Sequence, residues 1–150
     1  MTVSKWLLIL LFILAAIGFV DATYLTVEHY LGLIPPCTIT SGCEQVTTSA
    51  YSVVIGIPVA LLGAIYYLVL LGALVWLWSE KKYQYLRYLA YFTWFGLLAA
   101  IYFTSVQAFI LKAYCQYCLL SALTSTLIFL VAQYAKRNQS KPEVEVSSNN

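Results

Sequence analysis

The chain has 150 residues, of which 62% are hydrophobic and only 9% charged, with a formal net charge of +2. A soluble domain carries about 25% charged residues, so this composition excludes a soluble enzyme and reads as an integral membrane protein. No basic patch with interleaved aromatics exists, which excludes nucleic-acid binding, and the abundant Tyr and Trp suit helices anchored at two membrane interfaces.

A spanning helix takes about 20 mostly apolar residues, and four stretches meet that length, at about 6–30, 53–78, 86–111 and 115–134. Gly18, Gly63, Gly72 and Gly96 fall inside them, as membrane helices allow where they pack closely. The first stretch also imitates a cleavable signal peptide, with Lys5 before an apolar run and Val20-Asp21-Ala22 near its end. Its apolar core exceeds the usual ~7–15 residues and the pattern continues through Tyr24, Leu25 and Val27, so a retained helix is expected.

Between the first two helices, residues 31–52 form the sole sizeable connection. Pro35-Pro36 ends any helix, and Gly32, Gly42 and the Ser/Thr cluster at Thr47 to Ser49 mark turns. A cap across one mouth of the bundle is expected, with a short helix from Glu44 to Ser49. Residues 1–135 then form one four-helix membrane domain, and 136–150, polar and without an apolar face, a disordered tail. The sequon Asn138-Gln139-Ser140 lies at the start of that tail and is expected to be inert there.

Basic residues stay on the cytoplasmic side of short loops. Lys5, Lys81, Lys82, Arg87, Lys136, Arg137 and Lys141 share one side of a four-helix chain, and Lys112 alone lies opposite. Both termini are therefore expected in the cytoplasm of a multi-pass plasma-membrane protein. All four cysteines, Cys37, Cys43, Cys115 and Cys118, then fall at the extracytoplasmic, periplasmic face.

Four cysteines on an oxidising side read as disulfide chemistry, with three pairings available. Neighbours in sequence give Cys37 with Cys43 and Cys115 with Cys118. Two structural staples in a scaffold or assembly factor are one reading. The other is a relay, because a C-x-x-C entering a helix has free amides that stabilise a thiolate. A thiolate of one pair can attack the other pair through a mixed disulfide. In the lipid phase the available electron acceptor is a quinone, whose oxygens Ser49, Tyr114 or Tyr117 could hydrogen-bond. Zinc fits poorly: Cys37-x5-Cys43 exceeds the usual spacing of about two to four residues, and no metal is expected. His29 reads as an interfacial residue. Asp21, an ionisable group within a span, is a candidate for proton delivery or for a helix–helix hydrogen bond.

These residues resemble the vitamin K epoxide reductase family, in its bacterial and archaeal form. The resemblance is carried by Asp21-Ala22-Thr23-Tyr24-Leu25-Thr26, Cys37-x5-Cys43, Ser49, Gly56-Ile57-Pro58, Leu62-Gly63, Tyr66-Tyr67 and Cys115-x-x-Cys118, in that order on four helices. It implies an all-α integral membrane protein that acts as a thiol:quinone oxidoreductase. In that reading Cys118 reduces the quinone, Cys115 resolves it, and Cys37 and Cys43 are the shuttle pair, Cys37 facing an external redox protein and Cys43 passing electrons to Cys115. Ser49 resembles the family's polar residue beside the quinone, and Asp21, Tyr114 and Tyr117 complete the expected quinone surroundings. Ubiquinone, menaquinone and a vitamin K-type naphthoquinone all remain candidates.

The implied partner is a thioredoxin-like or DsbA-like extracytoplasmic protein, expected to be separate because no such domain follows the fourth helix. The activity would support disulfide formation in exported proteins. The tyrosine and asparagine tied to epoxide recognition in animal enzymes are replaced here by Ala122 and Val59, so plain quinone reduction is expected. The disulfide-bond protein B type also has four helices and two cysteine pairs, but carries its C-x-x-C in the first outer connection.

Overall fold

A computed structural model describes residues 4–139. Four helical segments are long and apolar enough to cross a membrane: Lys5–Leu31, Val59–Glu80, Tyr83–Leu111 and Gln116–Gln139. The chain is thus the expected all-α four-helix membrane bundle. The first segment is helix α1 (Lys5–Leu31). The cap follows, with the one-turn helix α2 (Cys43–Thr47), a 3-10 turn (Ala50–Ser52) and strands β1 (Val53–Val54) and β2 (Ile57–Pro58). Helices α3 (Val59–Glu80), α4 (Leu86–Ser105) and α5 (Gln116–Gln139) complete the bundle, and α4 continues as a π-helical turn over Val106–Leu111.

The second span begins at Val59 rather than at residue 53, because the residues before it pair as a hairpin. Val53 opposes Pro58 and Val54 opposes Ile57. The two residues between them, Ile55 and Gly56, have φ of 52° and 77°, the left-handed pair that a two-residue hairpin turn requires. Pro58, with φ −58°, lacks a donor and stands just outside the helix, where a missing N–H costs nothing. The fourth helix runs to Gln139, past the expected end at 134, and the rest of the expected disordered tail, with Lys141, lies outside the described residues. The short cap helix sits within one or two residues of its expected place.

Every span carries large apolar side chains on its outside, such as Ile13, Leu68, Leu98 and Leu130. Helices apolar all round are those surrounded by lipid or protein on every side. Their contacts are made by small residues that let the backbones approach: Ala15 on α1, Ala90 on α4 and Ala132 on α5 are fully buried. The packing is uneven. Helix α1 lies along α3 and α5, α4 lies along α5, and α3 scarcely touches α4. The gap between α3 and α4 is where a cavity forms.

Tyr67 ties three helices together. Its ring lies against Gly18 of α1, so closely that a Cβ at position 18 would overlap ring carbons. Its hydroxyl donates to the Ser121 carbonyl at 2.8 Å and lies 2.9 Å from Thr124 Oγ1, both on α5. Overpacking of a rigid aromatic contact costs about 1–3 kcal/mol. Gly18→Ala is therefore expected to lower the melting temperature of the protein in detergent; an unchanged melting temperature would remove Tyr67 from this role.

Candidate active site

All four cysteines gather in one apolar cluster apart from the main core. Cys43 and Val46 of α2 pack on Ala113 and Cys115, with Cys37, Leu111, Tyr117 and Cys118 around them. Cys37 and Cys43 form a disulfide with Cα atoms 5.9 Å apart, and Cys115 and Cys118 are free thiols. Thr40 Oγ1 lies 3.3 Å from Cys37 Sγ and 3.9 Å from Cys43 Sγ.

Two devices bring the cap down onto the dithiol. Gly42, just before α2, lies against the backbone of Tyr114 and the Cβ of Ala113, and a Cβ at position 42 would come within 2.6 Å of the Tyr114 nitrogen. Only glycine permits that approach. From the other side, Gln116 Oε1 accepts the Ile39 N–H at 2.9 Å and the Thr38 N–H at 3.2 Å, and Tyr117 Oη donates to the Pro36 carbonyl at 3.1 Å. The two middle residues of the C-x-x-C thus hold the Cys37 side of the cap.

Cys115 is fully buried at the mouth of α5, where its carbonyl accepts the Leu119 N–H at 3.0 Å. Its own N–H donates to Gln107 Oε1 at 2.9 Å. Gln107 is buried in the π-helical turn after α4, and π turns recur at functional sites because they re-aim side chains. The Cys118 thiol donates to Cys115, and the free amides of Cys118 and Tyr117 at the helix N-terminus add to this. Burial opposes them but does not win, and Cys115 is lowered from an ordinary thiol value to about 7. Cys115 is therefore the thiolate of the pair, poised near neutral pH to attack a disulfide or to leave from one.

Asp21 of α1 is buried, and its Oδ2 has no hydrogen-bond partner. It lies within electrostatic reach of Cys115, Cys118 and Tyr67. Beside Cys118 a cavity of about 710 Å³ opens between the cap, α1, α3, α4 and α5, a volume typical of a small-molecule site. Cys118, Ser49, Gln107, Val59 and Ala122 are on its wall, and its surface is mostly apolar.

Of the residues expected at a quinone, Cys118 and Ser49 line this cavity and Tyr114, Tyr117 and Asp21 do not. Tyr117 stands on the face of α5 that meets α1, its ring 5.3 Å from that of Tyr24 and its hydroxyl taken by Pro36. Tyr114 is exposed beside the Gly42 contact. Ser49 gives its proton to the Val46 carbonyl at 2.8 Å. His29 is exposed at the cavity rim, edge-on to Tyr30. Gln107, Gln116, Gly42 and Thr40 are positions around the cysteines that sequence reasoning did not assign to the site. Of these, Gln116 had a signal as a residue inside the C-x-x-C, and Gly42 one only as a turn glycine. Among the described residues no group of His, Cys, Asp and Glu could hold a metal ion.

Residues 9–133 match the family model described as the Vitamin K epoxide reductase family. No curated protein matches the chain.

The acidity of Cys115 yields a pH expectation. Thiolate should appear as pH rises through about 7, seen by ultraviolet absorbance of the reduced protein. Cys118→Ala removes the largest cause and should move the midpoint upward; an unmoved midpoint would assign the acidity to something other than Cys118.

Proposed function

Because the chain belongs to the Vitamin K epoxide reductase family, and is therefore a membrane thiol–disulfide oxidoreductase, we propose that it passes electron pairs from an extracytoplasmic thioredoxin-like dithiol to a membrane quinone. The observation that carries this reading is the coexistence of a Cys37–Cys43 disulfide and a free Cys115/Cys118 dithiol in one cluster, with Cys118 on the wall of a lipid-sized apolar cavity. Two permanent staples would leave no free pair.

The steps balance as follows. The donor's dithiol reduces the Cys37–Cys43 disulfide, entering at the half-exposed Cys37, and leaves as a disulfide. Cys43 thiolate then attacks Cys115 in a Cys115–Cys118 disulfide, expelling Cys118. Cys37 attacks Cys43 of the mixed disulfide and expels Cys115, whose lowered pKa makes it the better leaving thiolate. This restores the cap disulfide and leaves both electrons on Cys115 and Cys118, which is the pairing described above. A bound quinone supplies an acceptor for two electrons and two protons. Cys118 delivers the electrons from the cavity wall, and Cys115 closes the Cys115–Cys118 bond. Asp21, buried beside the dithiol with an oxygen free, accepts a thiol proton.

Entry is sideways from the bilayer, through the gap between α3 and α4. The basic side of the bundle, with Lys81, Lys82, Arg87, Lys136 and Arg137, faces the cytoplasm by the positive-inside rule. The cysteine cluster then faces the oxidising compartment, and the activity supports disulfide formation in exported proteins.

The test is purified protein, a reduced thioredoxin-like donor, and ubiquinone or menaquinone, followed by quinone absorbance. Cys115→Ser and Cys118→Ser should each abolish turnover. Asp21→Asn should lower kcat by about 100-fold, the lower end of what positioned proton transfer contributes. Full turnover in both serine variants would overturn the relay, and an unchanged kcat in Asp21→Asn would remove that residue from it.

A further inference from the structure

The seam between α3 and α4 is open at both of its ends. At the cap end it meets the cavity beside Cys118. At the other end, about 27 Å along α3 from Val59 at ~1.5 Å per residue, a second cleft of about 370 Å³ opens between the same two helices. Its floor is Leu77 and Leu89, both buried, and its walls include Val69, Trp76, Tyr85 and Tyr88, all exposed. Apart from the tyrosine and tryptophan ring edges, every side chain that lines it is a hydrocarbon, so it gives water too few polar partners to stay.

Positive charge stands at the rim. Trp76, Tyr85 and Tyr88 form an arc of rings, with successive centroids 5.3 and 6.0 Å apart. Lys82 Nζ lies 5.9 Å from the Trp76 ring at one end of the arc, and the Arg87 guanidinium lies 5.9 Å from the Tyr88 ring at the other. Attraction to the ring faces keeps both cations at the edge of the cleft. Glu80, 3.6 Å from Lys82, offsets one charge. It is the sole acid from 59 to 139, and Lys81 next to it restores the excess.

We infer that this cleft binds an anionic phospholipid of the leaflet away from the cysteines, with an acyl chain over Leu77 and Leu89 and the phosphate diester between Lys82 and Arg87. An apolar cleft in a bilayer has no hydrophobic reason to close, and a lipid chain fills it. Charge makes the choice of lipid. An anionic headgroup accepts charge-assisted hydrogen bonds from ammonium and guanidinium, whereas a zwitterionic one brings its own cation to a rim that is already positive. Basic pockets between spanning helices hold such headgroups elsewhere. Because α3 and α4 scarcely touch, a chain seated between them joins the two helices, and binding stabilises the bundle. The site is remote from the cysteines and independent of the quinone reading.

The test uses full-length protein in detergent, freed of lipid and titrated with phosphatidylglycerol or phosphatidylcholine. Bound lipid is counted by native mass spectrometry, and melting temperatures are taken in parallel. Phosphatidylglycerol should bind about 10- to 30-fold more tightly, roughly 5-fold for each of two cations, and should raise the melting temperature more. Lys82→Gln combined with Arg87→Gln, both exposed positions, should erase that preference and leave phosphatidylcholine binding unchanged. Ala73→Leu, which adds bulk to the α3 wall of the cleft, should weaken both lipids. Equal affinities in the unaltered protein overturn the site, and so does a preference that survives the double variant, which would mean non-specific lipid only. A dimer by mass that takes up no lipid overturns it in favour of a second copy of the chain.

Discussion

The contact on which the rest of the structure depends is the seat of Gly42 on the Ala113–Tyr114 backbone. At that point the cap approaches the entry to α5 closely enough for Cys43 to join Cys115 in one apolar cluster. Without it, the cap would be a polar loop over a bundle, and the two cysteine pairs would belong to separate parts of the molecule. Gln116 and Tyr117 fix the opposite side of the same seat. The C-x-x-C is therefore more than a dithiol, since its middle residues hold the other pair in place.

A second constraint sets the other half of the chemistry. Three of the four neighbouring helix pairs close through small residues and through Tyr67, and the pairing of α3 with α4 is left open. In water such a gap would collapse or fill. In lipid there is no hydrophobic gain from closing it, because the surroundings are as apolar as the wall. The bundle can therefore keep an apolar cavity beside Cys118, while Asp21 of α1 is buried within electrostatic reach of the dithiol.

The four spans, their order and the membrane class were legible in the sequence, because runs of about 20 apolar residues have few other uses. The cysteine pairs were legible as pairs, through short loops and helix-entry position. What the sequence hid was whatever depended on a neighbour. Val53 and Val54 read as the start of a span, since a β-branched apolar run looks the same in a strand or in a membrane helix. The left-handed turn at Ile55-Gly56 decides it. Tyr114 and Tyr117 sit next to the cysteines in sequence, but helix rotation turns Tyr117 toward α1, away from the cavity. Gln107 is eight residues from Cys115 and reaches it only because a π turn brings the chain back.

The central claim is that the cap and the dithiol exchange electrons through Cys43 and Cys115. The most direct measurement is a Cys37→Ser, Cys118→Ser double variant, isolated from membranes with free thiols trapped and analysed by mass spectrometry of its peptides. A Cys43–Cys115 disulfide joining the cap to the mouth of α5 is the predicted result. Two free thiols after exposure to oxidant would contradict the account.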